Sequence, residues 1–199
     1  MGLKRFFQKD LLEAGCDEAG RGCLAGPVFA AAVMLDPKKP IAFLNDSKKL
    51  NENLRNKLRL EIEEKALAFA VASCSNVEID KINILKASFL AMHRAIDKLN
   101  IAPQLLIIDG NRFSPYKQIE HHCIIKGDGK FQAIAAASIL AKTYRDDFMV
   151  KLGEEFPQYN WKKNKGYPTS DHRNAIKNFG PTFHHRMTFT LLPSQIELF

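Results

Sequence analysis

Apolar residues recur along this chain in two rhythms. Val28 to Leu35 is an unbroken apolar run bounded by Gly26-Pro27 and Asp36-Pro37, the pattern of a buried strand. From Asn51 the rhythm changes: Leu54, Leu58, Ile62, Ala66 and Phe69 recur every three or four residues among charges. That spacing predicts an amphipathic helix with its charged face toward water. Leu67 to Ser75 reads as a strand overlapping the end of this helix, and Asn83 as the cap of another, with Leu85, Phe89, Met92, Ile96 and Leu99 on one side. Pro103 breaks that helix. Leu105 to Ile108 is again a buried-strand run, ending at Asp109-Gly110, and His122 to Ile125 a shorter one ending in Lys126-Gly127-Asp128-Gly129. A long helix, alanine-rich on its packed side, is predicted over Phe131 to Leu152, and a short one near Asp171 to Phe179, stopped by Gly180-Pro181. Strands alternating with helices predict an α/β sheet covered by helices.

The length, 199 residues, suits one core, or a domain with a small annex. Lys and Arg number 29 against 22 Asp and Glu, a formal charge of +7 that favours polyanionic partners without naming one. The four cysteines, Cys16, Cys23, Cys74 and Cys123, form no C-x-x-C pair and read as reduced, mostly buried thiols. The first ten residues are charged and carry no signal-peptide core, and the longest uncharged run, Gly22 to Leu35, is too short for a bilayer. The expectation is a soluble cytoplasmic protein with no membrane partner, monomeric by default.

Carboxylate placement is the informative anomaly. Asp17 and Glu18 sit in the otherwise uncharged stretch from Ala14 to Gly20, Asp109 ends the most hydrophobic strand, and Asp128 follows the next. Strand ends in α/β sheets open into the crevice where ligands bind. Carboxylates gathered there repel one another unless protons or cations intervene. An all-oxygen set suits Mg²⁺ or Mn²⁺ better than zinc. Taken singly, Asp109 and Asp128 also read as turn residues beside glycine.

Gly20-Arg21-Gly22 follows at once. It reads either as a hairpin turn or as a place where the main chain approaches a ligand, such as a 2′-hydroxyl that distinguishes RNA from DNA. On the long helix Ser138, Lys142 and Arg145 share a narrow face. They are expected either to hold phosphates or to be solvated. Lys162-Lys163-Asn164-Lys165-Gly166-Tyr167 interleaves charge and aromatics as a strand-tracking groove does, or as a basic loop with a packed tyrosine does.

Asp17-Glu18-Ala19-Gly20-Arg21-Gly22, continued by Leu24-Ala25-Gly26-Pro27-Val28, resembles the opening motif of ribonuclease HII. The resemblance continues through Asp46-Ser47-Lys48-Lys49-Leu50, Ile82-Asn83-Ile84-Leu85, Ile108-Asp109-Gly110-Asn111 and Lys126-Gly127-Asp128. It runs on through Ala135 to Lys142, Arg145-Asp146, Lys165-Gly166-Tyr167 and His185-Arg186, nearly the whole chain. It implies a ribonuclease H-like fold: a five-stranded mixed sheet flanked by helices, the core over residues 1–152 and a small helical C-terminal part over 153–193. It implies hydrolysis of RNA in RNA–DNA hybrids and incision 5′ to single ribonucleotides in duplex DNA, leaving 3′-hydroxyl and 5′-phosphate ends. Asp17, Glu18, Asp109 and Asp128 match the family's metal-binding carboxylates, which hold two Mn²⁺ or Mg²⁺ ions during catalysis. Gly20, Arg21 and Gly22 match the segment that reads the 2′-hydroxyl, and Tyr167 the ring stacked at the RNA-to-DNA junction. Lys48, Asn83, Ser138, Lys142 and Arg145 match polar positions assigned to backbone phosphates. Three positions depart from the family pattern: Cys23 where Pro is usual, Pro168 where Gly is usual, and Gly129 where Ser or Ala is commoner.

Residues 194–199 end in Gln195-Ile196-Glu197-Leu198-Phe199, which looks like the short peptide by which bacterial proteins dock on the replication sliding clamp. Gln195, Leu198 and Phe199 are the expected anchors. A non-catalytic hybrid-binding protein on the same scaffold is the rival reading, and the four acids argue against it. The Gly-Arg-Gly and Lys-Gly-Tyr segments argue against a resolvase, and the lack of an extra N-terminal domain against ribonuclease HIII.

Overall fold

Glu13–Ala19 forms β1 and Val28–Leu35 forms β2, an antiparallel pair whose register sets Asp17 opposite Ala31. The computed structural model describes residues 2–192. Small alanines at 30, 31 and 32 leave β2 buried on both faces, so helices can close on either side of it. Helix α1, Glu52–Lys65, is capped by Asn51, whose side chain accepts the Leu54 amide. The chain then turns straight into β3, Ala66–Cys74, antiparallel to β2. Ala66 and Phe69, whose spacing continues the helical rhythm, therefore belong to the strand, where alternating burial takes over from helical periodicity.

Ser75 and Glu78 then make a reciprocal capping box that starts α2, Asn76–Ile82, a helix the hydrophobic rhythm did not reveal. Asn83 caps α3, Ile84–Asp97, as expected, but Leu99 lies beyond the helix. Strand β4, Leu105–Asp109, returns parallel to β1, and β5, Glu120–Ile124, lies parallel to β4. The sheet is thus five-stranded and mixed, in the order β3-β2-β1-β4-β5. Helix α4, Gln132–Glu155, starts after Phe131 and runs past Leu152. The short α5, Trp161–Asn164, and α6, Ser170–Phe179, are the last helices among the described residues.

One core layer lies between the sheet and α3, around Ala87, Ala91, Met92 and Ile96. Another lies under α1 and α4, around Leu58, Ile62, Ala136 and Leu140. A third joins Leu24, Met149, Tyr159, Trp161 and Ile176, and fastens α5 and α6 to α4 and to the loop after β1. Cys16, Cys23 and Cys74 are buried free thiols, and Cys123 is half-buried. No helix among the described residues is long and apolar enough to cross a membrane.

Candidate active site

Sheet register builds the acidic centre. β1 and β4 run parallel with Cys16 beside Ile108, so the next residue of each strand, Asp17 and Asp109, projects to the same face. Asp128 joins them from a short 3-10 turn, Gly127–Gly129, that follows β5. One carboxylate oxygen from each of the three lies within 4.8 Å of the others. Asp17 and Asp128 are buried. The Gly127 amide donates to Asp109 at 2.6 Å, tying the turn of the third acid to the second. The Glu18 amide donates to Asp17 at 2.7 Å. The Ser138 hydroxyl also faces Asp17 and lies 2.8 Å from the Ser47 hydroxyl.

Burial, then the charges of Glu18 and Asp109, drive the Asp17 pKa well above the usual carboxylate range. Asp128 is raised by burial, Asp109 and Asp46, against the pull of Lys48. Glu18 does not join the trio, because successive strand residues alternate in direction. Its side chain meets Arg21 at 3.3 Å instead. Burial still raises its pKa, opposed by Arg21 and reinforced by Asp109. Hard oxygen donors, close packing and a repulsion that Lys48 offsets only in part are the conditions a divalent cation satisfies, so the donor set fits Mg²⁺ or Mn²⁺.

Two buried arginines shape the loop from Gly20 to Pro27. Arg186 donates to the carbonyls of Gly20 at 2.8 Å, Arg21 at 2.8 Å and Gly26 at 3.0 Å. Burial draws its pKa down to about 10. Arg145, expected on its helical face either to hold phosphate or to be solvated, is fully buried and donates to Pro27, Lys165 and Ala25. It is a bracket between this loop and the segment leading to Tyr167, and the structure corrects that assignment. Periodicity places a residue on a face but does not tell whether another segment covers the face.

Gly20 has φ +96, and a Cβ there would run into the Arg145 guanidinium, so this residue must be glycine. Arg21 and Gly22 are exposed, and their amides donate no hydrogen bond among the described residues. The Tyr167 ring is half-buried, with Lys142 Nζ 5.9 Å and the Arg145 guanidinium carbon 5.7 Å from its centre. Burial, with Cys23 alongside, raises its hydroxyl pKa to about 12.

Lys142 pairs with Asp146 at 2.5 Å. Lys48 is exposed beside the acids, Ser138 is buried against Ser47, and Asn83 caps α3 with φ 67. Gln195, Leu198 and Phe199 lie outside the described residues. Arg186 and the buried histidines near it were missed as shapers of the site; the His185-Arg186 pair was their only trace in the sequence.

Solved structures share this architecture. The ribonuclease H2 of Pyrococcus horikoshii superposes with a TM-score of 0.74 at 26% identity, covering 90% of this chain and 94% of that one. A ribonuclease HII of Archaeoglobus fulgidus, solved in complex with PCNA, gives 0.76 at 26% identity, covering 95% of this chain and all of that one. The fold and its acidic centre define a nuclease of the ribonuclease H-like class. The family model described as Ribonuclease HII matches residues 14–192, and a ribonuclease HII of Bacteroides thetaiotaomicron is 63% identical over 96% of this chain and 95% of its own. The chain belongs to the ribonuclease HII family and is a metal-dependent endoribonuclease that acts on RNA–DNA hybrids.

Proposed function

We propose that this enzyme incises duplex DNA 5′ to single embedded ribonucleotides, as well as cutting longer hybrids, and leaves 3′-hydroxyl and 5′-phosphate ends. The observation that carries the reading is the pairing of an acidic trio with a loop that presents free amides. Asp17, Asp109 and Asp128, with Glu18 beside them, would hold two Mn²⁺ or Mg²⁺ ions. Ions bound there supply the charge that activates a water and stabilises the leaving 3′-oxygen.

The chain's own groups do the rest. The Arg186 fork turns the Gly20 and Arg21 carbonyls inward, which leaves the Arg21 and Gly22 amides for a 2′-hydroxyl. Tyr167 offers its ring to the sugar at the junction. Exposed Lys48 and the amide of Asn83 are suited to phosphates, as is Lys142 once it releases Asp146. Ser138 serves through Asp17. A mere hybrid binder gains nothing from three mutually repelling acids facing phosphate, which disfavours the non-catalytic reading. Such an activity would serve ribonucleotide removal during replication and repair.

The deciding experiment is incision of a labelled duplex carrying one ribonucleotide, with Mg²⁺ or Mn²⁺, against EDTA and Asp17→Asn. Metal-dependent cleavage 5′ to the ribonucleotide, lost in both controls, is expected. Cleavage of long hybrids alone would remove the junction reading. We also propose that Gln195, Leu198 and Phe199 dock on a sliding clamp, a reading supported by the solved PCNA complex of the Archaeoglobus relative. Equal retention on clamp beads with and without residues 195–199 would refute it.

A further inference from the structure

Two buried histidines beside Tyr167 form a chain in which every proton is placed by its neighbours. His172 is 0% and His185 1% exposed. The Thr182 amide donates to His185 Nδ1 at 2.8 Å, so the neutral ring carries its proton on Nε2. The Trp161 indole N–H, which can only donate, lies 2.9 Å from His172 Nε2. That nitrogen accepts, and the His172 proton sits on Nδ1, 2.9 Å from the Tyr167 carbonyl. The two Nε2 atoms are 3.2 Å apart, so the His185 N–H shares the one lone pair of His172 Nε2 with the shorter bond from Trp161. A second proton on either ring would set two donors face to face. Burial lowers both imidazole pKa values, that of His185 to about 4, so both stay neutral.

The ends of this chain meet the two halves of the recognition site. Tyr167 precedes Pro168, which has no N–H of its own to anchor the turn. The Tyr167 carbonyl is held instead by His172 and by the Thr169 amide at 2.8 Å. At the other end, His185 adjoins Arg186, whose fork holds Gly20 and Arg21 and whose amide donates to Leu24 at 2.8 Å.

We propose that His172 and His185 are positioning residues that fix the Tyr167 ring relative to the Gly20–Gly22 loop, and thereby set the preference for a lone ribonucleotide over a long hybrid. This rests on the recognition reading above. A lone ribonucleotide offers one 2′-hydroxyl beside one junction, so both contacts must be met at a single spacing. A long hybrid offers many hydroxyls and tolerates a looser site.

The test combines kinetics with spectroscopy. His172→Leu removes both ring nitrogens, whereas His172→Asn keeps an N–H where Nδ1 stood. The Leu variant is expected to raise KM for the single-ribonucleotide duplex about tenfold, the worth of roughly one net hydrogen bond. Its kcat, and both constants on long hybrids, should stay within about twofold. The Asn variant should recover most of the loss. Nitrogen NMR of the wild-type rings should show a protonated Nδ1 on His172 and a protonated Nε2 on His185, and this reading holds even where a variant fails to fold. Reversed tautomers, equal losses on both substrates, or no loss on either would overturn the proposal. A wild-type enzyme that cuts hybrids but not the lone ribonucleotide would overturn the recognition reading, and this proposal with it.

Discussion

Gly15 offers a sharp test of how the acidic centre is held. It lies in β1 between Val33 and Ile107 on the neighbouring strands, two residues before Asp17. A Cβ built on it would sit 2.5 Å from the Ala133 carbonyl oxygen, and closer still to the Ala133 carbonyl carbon and the Ile134 nitrogen. Carbon contacts settle at about 3.5 Å or more, so the first turn of α4 would have to retreat by about 1 Å. Backbone on both sides leaves no flexible side chain to yield, so Gly15→Ala should cost about 3 kcal/mol, at the upper end of overpacking. For a chain of this size that is a fall in Tm of roughly 6–12 °C. The same retreat moves Ser138 and the turn bearing Asp128 away from Asp17, and a misplacement near 1 Å costs about 100-fold in rate.

Thermal unfolding and single-turnover hybrid cleavage would be measured beside Gly129→Ala. That control residue adjoins Asp128, yet its added Cβ would meet nothing within 4 Å. Gly129→Ala should match wild type in both assays. Gly15→Ala with wild-type Tm and rate would refute the claim that close approach of α4 to β1 positions the acids.

Three other outcomes are expected. In EDTA, Asp17→Asn should unfold at a higher temperature than wild type, and its margin should shrink on acidification. The folded pKa of Asp17 is raised, so the native state takes up its proton before the unfolded chain does, and acid relieves a repulsion at Asp17 that the variant lacks; a margin constant with pH in thermal melts would contradict this. Arg186→Met strands three loop carbonyls and should cost about 3 kcal/mol or more, visible as a lowered Tm. Arg186→Lys should rescue little of it, because an ammonium cannot reproduce the fork. Phe43 is 79% exposed at φ 63, so Phe43→Asn should relieve about 1 kcal/mol of left-handed strain and raise Tm by roughly 2–4 °C.

Local signals in the sequence carried most of the architecture. The apolar run Val28 to Leu35 is β2 to the residue, and Asn51 and Asn83 are caps because their side chains accept amides three residues on. β1 was not legible, because Glu13, Asp17 and Glu18 interrupt its apolar pattern. Glu13 is tolerated because the Phe7 and Gln8 amides solvate its carboxylate. The box of Ser75 and Glu78 announces α2, a helix too short for hydrophobic rhythm to mark. In the site, Asp17, Asp109 and Asp128 were readable because an acid is costly at a buried strand end. The buried arginines were not, since Arg145 and Arg186 find their carbonyls on segments distant in sequence. No local pattern records such a partner.

The parallel pairing of β1 with β4 also makes the acidic centre a gauge of strand registry. Slipping β4 by one residue would turn Asp109 to the opposite face and dissolve the trio. A cation that binds only the trio therefore binds only the correctly aligned sheet, and stabilises it by mass action in proportion to the free ion. Asp17 and Asp109 come from strands far apart in the chain, so this stabilisation arrives only after long-range pairing is complete. Added Mg²⁺ should then slow unfolding while leaving the folding rate nearly unchanged, so that the ion needed for chemistry also latches the finished sheet.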